Sequence, residues 1–312
     1  MWTIPLEKEG YHPLLQPPRG GVFQVEFRPP GAATPVVAPL RGITRAERKA
    51  RLAARHGVKE TSDDDLWEFR LLDERTGYLR IGTFVTWNSK RDWKRFLRDA
   101  FSELGRKGVP NLVLDLRGNE GGADEVGAEL VGYLVPRKVT VPANRTLLRY
   151  ERVGADLRPY VDSWDDSFFD VTGRVTPAGD GFYALKGEGG ATTLEPNGRG
   201  YSGRTYVLVD AGNSSATFLL ARLLAQERLA TLVGQPTGGN LRGTNGGWIA
   251  FLRLPRSRIE LDLPLKGYFP MDEQPDRGLV PDVVVPESVE DVVLGSDAPL
   301  EAVQRLIAAG RP

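Results

Sequence analysis

Apolar runs and 3.6-residue periodicities alternate along two blocks of the chain, residues 77–134 and 205–285. GYLRIGTF (77–84) predicts a strand. SKRDWKRFLRDAFSELGRKG (89–108) predicts an amphipathic helix, because Trp93, Phe96, Leu97, Ala100, Phe101 and Leu104 fall at i, i+3, i+4, i+7, i+8 and i+11. Ser89 is its expected N-cap, and Lys107-Gly108 followed by Pro110 its stop. NLVLDL (111–116) is apolar without alternation, as expected of a strand buried on both faces. The glycine loop RGNEGG (117–122) then leads into a helix over 123–134. In the second block, TYVLVD (205–210) predicts a buried strand, and 216–226 a helix apolar almost all round, hence buried. LATLVG (229–234) predicts a strand, 247–255 and 258–267 a hairpin, and PDVVV (281–285) a last strand before a helix near 298–309.

The flanking segments read differently. Residues 1–21 are rich in proline and glycine, and 21–27 with 34–40 predict a hairpin. Residues 43–57 predict a helix opened by a Thr44/Glu47 capping box, with Gly57 just past its end. SDDD (62–65) reads as a polar connector. Residues 137–204 mix aromatics, glycines and charges without long periodicity, and are expected to be an insertion serving as a lid or substrate wall, or only a surface connection. The two blocks give a β-α-β-α order, so the class is α/β with right-handed crossovers. The expected domains are an N-terminal hairpin-helix lobe (1–75) and a core (76–312) interrupted by 137–204.

Composition narrows the chemistry. The 312 residues contain no cysteine, which excludes disulfides, thiolate metal sites and cysteine nucleophiles. Only His12 and His56 are available for histidine chemistry. Forty-one basic residues balance 41 acidic ones, so nothing overall favours nucleic acid or an anionic membrane. No apolar run reaches membrane-spanning length, and the first residues lack the apolar stretch of a signal peptide.

Two loops carry candidate chemistry. NSSA (213–216) follows one buried strand and RGNEGG follows the other, so both are expected at the carboxyl ends of strands in the sheet. A serine at a strand-to-helix elbow exposes its hydroxyl, while the next amides are free at a helix N-terminus. Glycines in the second loop add amides that no Cβ shields. Such a pocket suits an oxyanion. The same residues serve equally well as an N-cap, with Asn213, Ser214 or Ser215 in that role.

These segments resemble peptidase family S41, which includes the C-terminal processing proteases and the tricorn and retinoid-binding-protein-like proteins. The resemblance covers roughly 77–135 and 205–285, and weakly 21–40. NLVLDLRGNEGG is similar to the family's Asp-Leu-Arg-x-Asn-x-Gly-Gly signature, and YVLVDAGNSSATFLLA to its nucleophile segment. LATLVGQPTGGN and GLVPDVVV resemble its later turn and its closing Gly-x-x-Pro-Asp. The resemblance implies a crotonase/ClpP-like ββα spiral and hydrolysis of peptide or ester bonds through an acyl-enzyme on Ser215. It implies oxyanion donors at Ala216 and at Gly121 or Gly122, and a shape-holding role for Asp115, Arg117 and Asn119. It also implies an extended peptide or protein substrate near Gly239, Asn240 and Arg80, a location outside the cytoplasm, and no cofactor or metal.

The departures from the family concern the general base. Asn240 stands where processing proteases carry lysine, Arg80 where the tricorn-like branch carries histidine, and Phe218 in place of a glutamate. Neither Asn nor Arg accepts a proton at useful pH. Lys266, Glu120, His12 and His56 are the candidate substitutes. The hairpin at 21–40 resembles the end of a PDZ domain, but about twenty residues before it do not accommodate one, so a reduced or truncated lobe is expected. A non-catalytic peptide- or ligand-binding protein that lost its base is the alternative. A coenzyme A-dependent acyl transferase on the same superfold has no sequence support.

Overall fold

A computed structural model describes residues 19–29, 31–56, 62–286 and 288–310. The chain divides into two compact units, Met1–Glu60 and Thr61–Pro312. In the first unit, strands β1 (Val22–Phe27) and β2 (Val36–Arg41) pair antiparallel, with Val22 opposite Arg41. Helix α1 (Arg45–His56) opens with the expected box: the Thr44 amide donates to Glu47 Oε2 at 2.8 Å, and the Glu47 amide to Thr44 Oγ1 at 3.1 Å. Gly57 and His12 lie outside the described residues, as does the side chain of His56.

The second unit is built on a six-stranded sheet. Its strands are β3 (Trp67–Asp73), β4 (Thr76–Ile81), β5 (Asn111–Asp115), β12 (Arg204–Val209), β13 (Thr231–Gly234) and β16 (Val283–Val284). From β4 to β16 the neighbours are parallel and follow chain order; β3 closes one edge antiparallel to β4. Residues 67–73, placed by the sequence in the N-terminal lobe, therefore belong to the core sheet. Trp67, Phe69 and Leu71 alternate with Glu68 and Arg70, a strand period that the sequence reading passed over, and Glu74-Arg75 join this strand to β4 as a hairpin. SDDD is a capped 3₁₀ turn leading into β3.

Helices α2 (Trp93–Lys107), α3 (Asp124–Leu134) and α4 (Ser215–Gln226) share a core with one face of this sheet, through residues such as Leu97, Leu104, Leu112, Leu114, Leu130 and Leu220. Tyr78, Val113, Tyr206 and Leu208 point the other way, onto Ala302 and Val303. Both faces are covered, which explains the unbroken apolar run of β5. The cap of α2 is Asp92, whose carboxylate accepts from the Arg95 amide at 3.0 Å, while Ser89 bonds Asp64 instead. Gly108, in the left-handed region, ends that helix as expected.

Residues 137–204 form strands. Here β6 (Val139–Val141) pairs with β11 (Thr192–Leu194). Strands β7 (Asn144–Leu148), β8 (Val161–Ser163), β9 (Val175–Gly179) and β10 (Phe182–Leu185) join β14 (Thr244–Arg253) and β15 (Glu260–Pro270) in a second six-stranded sheet, ordered β8-β14-β15-β7-β10-β9. The segment is thus a structural partner of the later hairpin, and its short strands left no readable period in the sequence. Helices α5 (Val289–Leu294) and α6 (Ala298–Ala308) follow. Among the described residues no helix is long and apolar enough to cross a membrane.

Candidate active site

The two candidate loops meet because the strands that feed them are neighbours. β5 and β12 run parallel with Asp115 beside Leu208, so both chains leave the sheet at the same edge. Polar side chains then tie the loops together. Asn213, fully buried, donates through Nδ2 to the carbonyls of Leu116 (2.5 Å) and Asn119 (3.2 Å) and accepts from the Asp210 amide (2.9 Å). Asp210 accepts from the Gly118 amide at 3.0 Å, and Ser214 Oγ donates to the Glu120 carbonyl at 2.9 Å. Asn119, also fully buried, donates to the Ile81 carbonyl and accepts from the Gly121 amide, each at 2.9 Å.

Below the loop, Asp115 is 2% exposed and accepts from Tyr78 Oη at 2.7 Å and from the Arg117 amide, Nε and Nη2 at 3.0, 2.9 and 2.6 Å. Arg117 also forks onto Asp297, at 2.6 and 2.9 Å, ahead of α6. Burial would lower the Arg117 pKa, but its bonds to the two carboxylates hold it above its ordinary value. Asp115, Arg117 and Asn119 therefore shape the glycine loop.

Ser215 opens α4 with φ of 49°, one of five non-glycine residues with positive φ among those described. That backbone state costs about 1–3 kcal/mol for a residue with a Cβ and recurs at functional turns. Gly121 lies hard against it: a Cβ there would sit 2.7 Å from Ser215 Cβ and 3.1 Å from the Ala216 nitrogen. Strand β14 passes on another side, where a Cβ on Gly246 would be 3.4 Å from Ser215 Oγ. Among the described residues the Ser215 hydroxyl has no hydrogen-bond partner, and the amides of Ala216 and Gly122 have no protein acceptor. The Gly121 amide is taken by Asn119, which leaves Gly122 as the available donor of the glycine pair.

Ser215 and Ala216 line a cavity of about 730 Å³, with Gly122, Asp124, Asn240, Gly246 and Tyr268 among its walls. Helix α4 contributes a stripe to it: Ser215, Leu219, Arg222 and Gln226 all line this space. The helix is thus not buried all round, since its fourth face borders the cavity. Arg222, the single charge in that helix, was the sequence signal for this face. Asp124 is the other residue the sequence reading missed. Burial, then the charge of Glu125, pushes its carboxyl above the ordinary range, with Lys266 opposing.

The sequence profile described as "Peptidase family S41" matches residues 75–285, more than half of the chain. The chain belongs to peptidase family S41. No curated protein matches it in sequence. Among solved structures, a presumed peptidase of Parabacteroides merdae is similar at 17% identity and TM-score 0.50, over 83% of this chain and 69% of that one. Mature CPAF complexed with lactacystin is similar at 15% identity and TM-score 0.54, over 92% of this chain and 67% of that one. At these identities the likeness concerns the fold.

The remaining candidate residues of this S41 chain fall in several places. Asn240 borders the cavity, but its side chain is engaged: Nδ2 donates to Asp276 at 2.7 Å and Oδ1 accepts from the Arg242 amide at 2.9 Å. Gly239 packs on Phe218, where a Cβ would lie 2.3 Å from the ring, and its amide bonds the Asn213 carbonyl. Arg80 is outside the cavity lining. It pairs with Asp115 across the strands, and its charge acts on Tyr78 and Asp297. The side chain of Glu120 is exposed and likewise outside the lining.

Lys266 is 8% exposed and not among the cavity walls; its Nζ pairs with Glu188 at 3.1 Å between the rings of Trp248 and Tyr268. Burial alone would lower its pKa, but Tyr268 and Glu188 hold the amine above its ordinary value. A cation so held is poorly suited to take a proton. The spacing of Lys266 on its strand gave no sign of this partner, because Glu188 comes from a distant segment.

Proposed function

We propose that this chain is a serine peptidase whose nucleophile is Ser215. Its Oγ attacks the carbonyl carbon of the scissile bond, and the oxyanion is received by the amides of Ala216 and Gly122. The amine leaves with a proton, and water then attacks the ester and releases the acyl group, restoring the hydroxyl. The observation that carries this reading is the strained Ser215, packed against Gly121, in a cavity wall shared with Ala216 and Gly122, whose amides are unpaired among the described residues. Parallel strands laid down in chain order support the ββα spiral that the family resemblance implies. A fluorophosphonate probe tests the reading: a covalent adduct on Ser215 in folded protein is expected, and its absence overturns it.

In this scheme the proton acceptor is Asp124, a carboxyl of the same cavity wall whose pKa is held above its ordinary range; no hydrogen bond joins it to Ser215 Oγ here, so the proton passes through an intervening water. Because the ionised form is the base, labelling should fall as pH drops through that raised pKa and be present above it. Asp124→Asn should lower the labelling rate by about 10²-fold or more, while Lys266→Met leaves it within a few-fold. Labelling lost in Lys266→Met and kept in Asp124→Asn would reverse the two roles.

Gly122 makes a separate prediction. A Cβ there would sit 2.2 Å from the Phe84 carbonyl carbon, at a φ of 137° that side chains rarely adopt. Gly122→Ala should cost more than about 2 kcal/mol of stability and slow labelling by displacing the donor amide. Thermal unfolding together with labelling rate checks both effects.

A second reading follows from the unpartnered Ser215 hydroxyl: a peptide-binding protein that keeps the fold without turnover. It predicts no adduct in the unaltered protein and peptide binding that survives Ser215→Ala.

A further inference from the structure

Helix α4 is apolar along most of its length, yet at Arg222 it sends one cation toward the cavity that holds Ser215. Its Nε is buried without a hydrogen-bond partner among the described residues. The other charged residues of the cavity wall are Asp124, Glu125 and Asp272, all acidic. None of them pairs with Arg222: burial lowers its pKa and no carboxylate counters that. A partly desolvated guanidinium without a counter-charge is costly, and a planar carboxylate is its best complement.

Position on the helix fixes where that carboxylate would lie. Arg222 lies seven positions after Ser215, close to two full turns, so both occupy nearly the same azimuth about 10 Å apart. Helical side chains lean toward the N-terminus, which shortens the gap. An extended peptide advances about 3.3 Å per residue. Walls on this stretch, such as Leu219, Leu223, Val141 and Leu194, are apolar and leave the guanidinium as the directional group.

We infer that Arg222 is a specificity-determining residue that binds a carboxylate of the substrate two to three residues from the bond presented to Ser215. This rests on Ser215 being the reacting residue. The carboxylate is supplied by an Asp or Glu side chain or by the free C-terminus of the peptide. In either case a bidentate charge-assisted pair forms inside the cavity, with Asp124 and Glu125 keeping the anion away from the Ser215 end.

Binding separates this inference from the catalytic one. Fluorescent alanine-based hexapeptides carrying one Glu or one Gln at each position in turn, each made as C-terminal acid and as amide, would be titrated against the Ser215→Ala protein. A peptide with Glu at one position, or with the free acid, should bind about tenfold tighter than its neutral counterpart, the order of one charge-assisted bond. If the acid-amide pair shows the preference, the C-terminus is the source; if the Glu-Gln pair does, a side chain is. Arg222→Gln should erase the preference and Arg222→Lys keep part of it, neither with a fall in thermal midpoint. Equal affinities across every pair in the Arg222 protein, or a preference that persists in folded Arg222→Gln, overturns the inference. A preference that depends on Arg222, alongside no fluorophosphonate adduct on Ser215, would retain the carboxylate site and discard the peptidase mechanism.

Discussion

Replacing Ser215 with alanine is expected to abolish fluorophosphonate labelling and to lower peptide or ester turnover by about 10⁴–10⁶-fold, while the protein stays folded. The magnitude is that of removing a serine nucleophile when the oxyanion donors remain. Retained folding follows from the surroundings. Ser215 Oγ bonds no described group, so its loss leaves no buried donor or acceptor unpaired. The loops stay joined through Asn213, Asn119 and the Ser214–Glu120 bond, none of which uses Ser215. The strained φ of 49° is unaffected by the truncation, so the thermal midpoint should change little. Turnover at the unaltered rate, or an adduct on Ser214 instead, would move the nucleophile elsewhere. Ser214 is disfavoured because its hydroxyl is already committed to the Glu120 carbonyl.

Asp115→Ala is expected to lower stability by about 3–5 kcal/mol, the usual cost of removing one partner of a buried ion pair. Asp115 takes four hydrogen bonds at 2% exposure, and its loss strands the Tyr78 hydroxyl and half of the Arg117 fork. Burial, then the Asp115 charge and its hydrogen bond, already hold the Tyr78 hydroxyl protonated far above its usual range. That hydroxyl would be left as a buried donor with no acceptor. Arg117 keeps Asp297, which limits the loss. Asp115→Asn should cost less, since one carbonyl oxygen still accepts. Urea unfolding with an unchanged m-value would report the difference as stability. Labelling of Ser215 should fall in parallel, because Arg117 begins the loop that ends in Gly122. A stability loss within 0.5 kcal/mol of zero, the range of ordinary surface changes, would show that the network does not hold the loop.

The two sites respond differently because they act on different quantities. In the proposed mechanism Ser215 touches the reacting atoms, and it contributes little to packing. Asp115 touches no substrate and sets where an amide points. Arg222 belongs to neither group: it lies two turns along the helix, and in the carboxylate-binding role inferred for it, it bears on which peptide is held.

Local pattern alone determined much of this protein. The 3.6 period of 93–104, the unbroken runs of β5 and β12, the Thr44/Glu47 box and the Gly108 stop are each fixed by residues within a few positions of one another. The order of the motifs carried the resemblance to family S41 before any coordinates, since each motif is local and the series is sequential. What needed the tertiary structure depends on groups distant in the chain. Residues 144–185 become part of a sheet because the distant β14 and β15 offer an edge. Lys266 is excluded from the cavity walls by where β15 lies, and held as a cation by Glu188, 78 residues away. Gly121 and Gly122 look alike in sequence, but the Asn119 carboxamide takes the amide of the first and Phe84 crowds the second. Arg222 reads as one charge in an apolar helix until the fold opens a cavity beside it. Period and capping are local free-energy choices, whereas burial, pairing and proton affinity depend on which distant groups the sheet brings within a few ångströms.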